Sequence, residues 1–199
     1  MTEATDHKQK MQDVQAKQRA KVAERVDPGR GLVLVHTGKG KGKSSSAFGV
    51  VIRALGWKQT VGVVQFIKGK WITGERRFFE EAGNVTWYSM GEGFTWDTQD
   101  KARDIAAATA AFDKAREMMQ SGDYDLVVLD EINIALRYEY ISVDTVLEAL
   151  KSRSDRTSVI LTGRDAKPEI CDYADTVTEM GETKHAFQGG FKAQRGVDF

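Results

Sequence analysis

The segment Thr37-Gly38-Lys39-Gly40-Lys41-Gly42-Lys43-Ser44-Ser45 puts three glycines, three lysines and three hydroxyl side chains into nine residues. Such a segment suits a polyanion. Glycines admit close approach of the backbone, a lysine supplies charge, and a hydroxyl can complete the shell of a phosphate-bound Mg²⁺. The candidate phosphate contacts are Gly38, Lys39, Gly40, Lys41, Gly42, Lys43, Ser44 and Ser45, with Ser44 as the metal hydroxyl. Of the two outer lysines, Lys41 lies deeper, between glycines, whereas Lys39 reads equally as a solvated charge. The spacing departs from G-x-x-x-x-G-K-[S/T]: five residues before Gly42 stands Thr37, and taking Gly38 as the first glycine shortens the spacer by one. A basic surface turn would share the composition, but its flanks would not need to be a strand and a helix.

A second pair of groups answers the first. The apolar run Leu126–Leu129 ends in Asp130-Glu131. Two acids at the carboxyl end of a central strand are candidates for direct or water-mediated contact with Mg²⁺, because ligands of open α/β sheets gather at that edge. They would equally serve as the acidic start of a following helix, and the two roles are compatible.

These groups need a scaffold. Leu32–Val35, Val61–Val64, Leu126–Leu129 and Val159–Leu161 are short continuous apolar runs, as expected of strands covered on both faces, and Thr176–Met180 reads as an edge strand. Helices are predicted near Ser45–Leu55, Glu75–Ala82, Thr98–Gln120 and Val143–Ser152. In the third, Ile105, Ala108, Phe112, Ala115 and Met119 recur with helical period, and Ser142 and Asp144 are placed to cap the fourth. Strands alternating with helices imply a mainly parallel sheet with right-handed crossovers. The expected fold is α/β and P-loop NTPase-like (RecA-like), with residues 31–199 as one domain. Residues 1–30 are charged, with a thin apolar stripe at Met11, Val14, Val22 and Val26 before Asp27-Pro28-Gly29. They read as a helical arm, weakly stable alone, or as a partly disordered tail.

Composition excludes several classes. Twenty-nine basic residues offset twenty-nine acidic ones, so no global field argues for nucleic acid or an anionic membrane. The single Cys171 allows neither an internal disulfide nor a multi-cysteine metal site, and His7 and His36 have no metal-site context. No apolar run reaches the roughly 20 residues of a membrane span, and the charged start lacks a secretory h-region. A cytoplasmic protein is expected.

A phosphate loop alone leaves kinase, ATPase, transferase and nucleotide-sensing module open. Val64-Gln65-Phe66-Ile67-Lys68-Gly69 closes the second strand on the same side, and Gly91-Glu92-Gly93-Phe94-Thr95-Trp96-Asp97-Thr98 sets two aromatics in a glycine-flanked loop. Read blind, Phe94 and Trp96 are either core anchors or a platform for a broad flat ligand. No residue carries the context of a general base for a hydroxyl or water nucleophile.

Taken together, T-G-K-G-K-G-K-S-S, V-Q-F-I-K-G, G-E-R, G-F-T-W-D-T, V-L-D-E, T-G-R and K-H-A-F…K-A-Q-R-G resemble the ATP:corrinoid adenosyltransferase family, in order from about Gly31 to Phe199. The resemblance implies transfer of the 5′-deoxyadenosyl group of ATP to a Co(I) corrinoid with release of triphosphate. Co(I) is itself the nucleophile, so no base is required. It further implies ATP held in the reverse of the usual sense, Lys41 and Lys43 on the leaving triphosphate, and Mg²⁺ at Ser44, Asp130 and Glu131. Phe94 and Trp96 would press on the lower corrin face, and a reduced flavin or flavoprotein would donate electrons. A homodimer is implied, with the N-terminal helix closing over a nucleotide site. Arg53, Glu75, Arg164, Lys184 and His185 fall in matching segments without an assigned role.

Overall fold

The computed structural model describes residues 3–66, 73–89 and 100–198. Its centre is a six-stranded sheet in the order β3-β2-β4-β5-β1-β6, and every pairing is parallel. The strands are β1 (Val33–Thr37), β2 (Val61–Gln65), β3 (Val85–Ser89), β4 (Leu126–Asp130), β5 (Ser158–Thr162) and β6 (Thr176–Glu179). The four apolar runs form β1, β2, β4 and β5, and β6 is the expected edge strand, exposed along its length. β3 was not anticipated. Its alternating Val85-Thr86-Trp87-Tyr88-Ser89 belongs to the other edge, where one face stays half-open.

Seven helices are described: α1 (Glu3–Ala23), α2 (Lys43–Gly56), α3 (Gly74–Ala82), α4 (Lys101–Ser121), α5 (Ile132–Arg137), α6 (Val143–Lys151) and α7 (Pro168–Tyr173). The period-2 alternation of strand side chains splits the core in two. Val127 and Leu129 face the layer of α4, α5, α6 and α7, while Leu126 and Val128 face α2 and α3. On α4, Ala108, Phe112, Ala115 and Met119 are buried as the period predicts, and Ala111 and Met118 join them. Ile105 does not: it is 36% exposed, because the buried stripe begins instead at Asp104. Ser142 caps α6 by accepting the Thr145 N–H, and Asp100 caps α4.

The order matters for the site. β5 lies between β1, which leads into the glycine loop, and β4, which ends in the acids. Loop and acids therefore stand one strand apart at the same carboxyl edge of the sheet. The predicted arm contains α1, and every described side chain from residue 6 to residue 30 is exposed.

Candidate active site

β1 ends at Thr37, and the chain turns through residues 38–42 into α2. Gly42 takes φ 111°, a left-handed conformation that a side chain would strain, and Ser46 N–H donates to Gly42 O at 2.7 Å to start the helical ladder. The amides before it have no intrahelical acceptor, so the positive end of a 14-residue helix opens at Lys43-Ser44-Ser45. Gly38 and Gly40 have an intramolecular reason besides ligand approach. A Cβ at either would stand 2.4–2.5 Å from a backbone oxygen of Met180 or Gly181. The loop thus lies tight against the end of β6, held by Gly40 N–H→Met180 O (2.7 Å) and Met180 N–H→Thr37 O (2.8 Å).

The three lysines diverge. Lys43 is buried, its Nζ donates to Gly40 O at 2.6 Å, and burial lowers its pKa, an effect that Glu131 opposes. Lys41 is exposed and pairs with Asp198 near the far end of the chain. Lys39 is exposed and stands outside the cavity described below.

Across the cavity, Asp130 is 4% exposed and both its oxygens are engaged. Thr162 Oγ1 donates to Oδ1 (2.8 Å) and Gln65 Nε2 donates to Oδ2 (3.1 Å). Thr162 Oγ1 also accepts the Glu131 N–H (2.9 Å), and Gln65 Oε1 accepts from Trp87 Nε1 (3.2 Å) and Ser89 Oγ (2.9 Å). One hydrogen-bonded belt therefore crosses the ends of β3, β2, β4 and β5. Glu131 departs from it. Its backbone is left-handed (φ 63°), a conformation costing a non-glycine residue about 1–2 kcal/mol, and it starts α5 without a side-chain cap bond. Its Oε2 is buried with no hydrogen-bond partner among the described residues. Burial first, and Asp130 second, push its carboxyl up to about 7.

A cavity of about 540 Å³ joins the two sides. Lys41, Lys43, Ser44 and Ser45 line it from the loop, Asp130 from the end of β4, Glu131 from the start of α5, and Glu75, Arg164 and His185 from three further segments. Lys184 borders a smaller space with His185 and Gly40, and Arg53 is exposed on α2, lining neither. A mainly apolar cavity of about 460 Å³ adjoins the first through Ser45, Phe48 and Glu75, between α2 and α3. Phe94 and Trp96 lie outside the described residues, as do Lys68 and Gly69.

Three site groups carry no role in the sequence reading, two of them inside quoted motifs: Gln65 in V-Q-F-I-K-G and Thr162 in T-G-R. Gln65 and Thr162 each close an apolar strand with a polar residue, a signal that was present. Asp198 gave none, because its position depends on how the chain's last segment returns over the loop.

The donor set suits a hard divalent cation: a hydroxyl, two carboxylates and one buried carboxylate oxygen without a partner. Among the described residues no cluster of three or more His, Cys, Asp or Glu could hold a metal by itself. Phosphate oxygens and water would have to complete the shell, as is usual for Mg²⁺.

Residues 29–199 match the family model described as ATP:corrinoid adenosyltransferase BtuR/CobO/CobP. A corrinoid adenosyltransferase of Pseudomonas aeruginosa is 52% identical over 97% of this chain and 95% of its own. One from a Sinorhizobium species is 48% identical over 97% and 91%, and one from Escherichia coli K12 is 44% identical over 97% of each. A KaiC-like protein of Pyrococcus horikoshii, 17% identical, aligns over 77% of this chain and 71% of its own with a TM-score of 0.44. With the family model matched over nearly the whole sequence, and a relative identical at half its positions, the chain belongs to the ATP:corrinoid adenosyltransferase family.

Proposed function

We propose that the 540 Å³ cavity grips the triphosphate of ATP as a leaving group while the 5′-deoxyadenosyl group passes to a Co(I) corrinoid. The observation carrying this reading is the cavity itself, with a basic loop and helix N-terminus on one wall and a carboxylate pair with an unpartnered oxygen on the other. The cobalt electron pair attacks C5′, the C5′–O bond breaks, and its electrons leave on the triphosphate. Cobalt goes from Co(I) to Co(III), and no proton moves. The protein's share is to align C5′ and to stabilise the departing negative charge.

Lys41, Lys43 and the amides of the loop and first turn of α2 take that charge. Ser44, Asp130 and Glu131 hold Mg²⁺, which when bound supplies further positive charge to the triphosphate oxygens. Phe94 and Trp96 press on the lower corrin face and keep its axial ligand off. An axial donor stabilises the oxidised metal, so its exclusion eases reduction of Co(II), the same lever that tunes haem. The electrons come from a reduced flavin or flavoprotein. The exposed α1 supports a homodimer in which residues 1–30 close over a nucleotide site, with residues 31–199 as the catalytic domain. A cytoplasmic setting accords with this chemistry, and among the described residues no helix is long and apolar enough to cross a membrane.

Incubation with ATP, Mg²⁺ and chemically reduced cobalamin should give a light-sensitive cobalt–carbon product and one triphosphate per turnover. A carboxyl near pKa 7 could also serve a hydrolase as its base, so the products decide. ADP and orthophosphate alone would overturn the reading.

A further inference from the structure

We infer that Gln65 is a positioning residue for the metal-binding carboxylate, its amide locked in one orientation by Trp87 so that it always presents a donor to Asp130. The inference rests on the proposal that a divalent cation sits at Asp130 and Glu131. Gln65 ends β2 and is 7% exposed at the cavity wall. A glutamine amide can usually be flipped, exchanging donor for acceptor. Here it cannot. The indole Nε1–H of Trp87 only donates, and it is shared between Gln65 Oε1 (3.2 Å) and Ser89 Oγ (3.1 Å), while the Ser89 hydroxyl donates its own hydrogen to Gln65 Oε1 at 2.9 Å. The NH₂ group is left facing Asp130 Oδ2 at 3.1 Å, opposite the donor that Thr162 gives to Oδ1. A flip would set Gln65 Oε1 against Asp130 Oδ2, two acceptors, and would turn the NH₂ group toward the half-buried indole N–H, leaving that N–H only Ser89 Oγ.

Asp130 is therefore clamped at both oxygens by neutral donors on the two neighbouring strands, with one lone-pair site of each oxygen consumed. The remaining sites point where the clamp puts them. Partners that orient a ligating carboxylate commonly change metal affinity about 10- to 100-fold when removed. The role also accounts for an edge strand whose Trp87 and Ser89 side chains both turn to one glutamine.

Mn²⁺ serves as the probe, its binding to the ATP complex read by electron paramagnetic resonance, with ATP binding measured separately in EDTA. Gln65→Met removes the donor at similar volume and should weaken Mn²⁺ about tenfold, with metal-free ATP affinity within about twofold of wild type. Trp87→Phe keeps the ring and Gln65 but frees the amide to flip. It should weaken Mn²⁺ by a smaller factor, about threefold, and it provides the test if Gln65→Met unfolds. Unchanged Mn²⁺ affinity in both variants, or equal loss of Mn²⁺ and metal-free ATP binding, would overturn the role of Gln65. Asp130→Asn separates the two levels. If it weakens Mn²⁺ while the Gln65 and Trp87 variants do not, only the clamp fails; if it leaves Mn²⁺ unchanged, the metal reading fails and takes the clamp with it.

Discussion

The two walls of the 540 Å³ cavity are held by different means. The acid wall stands on strand ends: Asp130, Gln65 and Thr162 are at most 7% exposed and are tied into one belt across four strands. The tail wall, residues 181–198, is almost wholly exposed and reaches the loop through Lys41–Asp198 and the backbone at Met180-Gly181. The loop lies between them. A buried network leaves little freedom and makes each lost partner costly, whereas an exposed ion pair contributes little and exchanges readily. The difference suits the proposed chemistry, in which a metal is held in fixed geometry and a highly charged product departs.

The largest effect should come from the loop itself. Lys43→Ala removes the buried cation that both walls face. Removing one such electrostatic contact typically lowers kcat about 10²- to 10³-fold. The rate of cobalt–carbon bond formation from pre-reduced cobalamin measures it, and a rate within threefold of wild type would place the triphosphate elsewhere.

Next is Glu131, where function and stability should oppose each other. Its folded pKa of about 7 lies above the ordinary 4.5, so the fold disfavours the ionised form. Below about pH 4.5 the carboxyl is protonated in both states and costs nothing. As pH rises from 4.5 to 7 the penalty grows, and above 7 it levels off, on the order of 3 kcal/mol. Glu131→Gln should therefore be more stable than wild type above pH 7 by urea denaturation, with the gain fading toward pH 4.5, while activity falls. Equal stability at pH 8 would mean that the buried oxygen is solvated.

Thr162→Val tests the belt at its junction. It removes the donor to Asp130 Oδ1 and the acceptor of the Glu131 N–H together, leaving two buried polar groups unpaired. A loss of about 1–3 kcal/mol in urea is expected. A loss below 0.5 kcal/mol would make the acid wall no stiffer than the tail.

The same contrast governs what could be read from sequence. The acid wall is made of strands, and strands covered on both faces announce themselves as apolar runs: β1, β2, β4 and β5 fall within a residue or two of Leu32–Val35, Val61–Val64, Leu126–Leu129 and Val159–Leu161. Asp130 was legible because its strand leads straight to it. β3 was not, since an edge strand needs only alternation, and five residues of it resemble a loop. Ile105 lies exposed against its period because Asp104 is buried in place of an apolar neighbour, which periodicity does not foresee. The belt needed strand order, which brings β2 and β5 to either side of β4. The pairing of Lys41 with Asp198 spans 157 positions and has no local sign at all.

Asp198→Asn should have the smallest effect, and it separates the walls most cleanly. The carboxylate occupies Lys41 Nζ, which the triphosphate reading requires for phosphate, so tail and ligand compete for one cation. The side chains are 54% and 21% exposed, and a pair so open to water is worth less than about 1 kcal/mol. Stability should change by no more than about 0.5 kcal/mol, against the larger loss at Thr162. Inorganic tripolyphosphate, the product without its adenosyl group, should bind up to about fivefold tighter by calorimetry, because the competing anion is gone. The tail offers trypsin Lys192 and Arg195, both exposed. Tripolyphosphate should speed cleavage there in the wild type, and Asp198→Asn should be cleaved at the faster rate without it. Weaker tripolyphosphate binding in Asp198→Asn would instead mean that the tail shapes the loop for its ligand, and the two walls would then be parts of one rigid site.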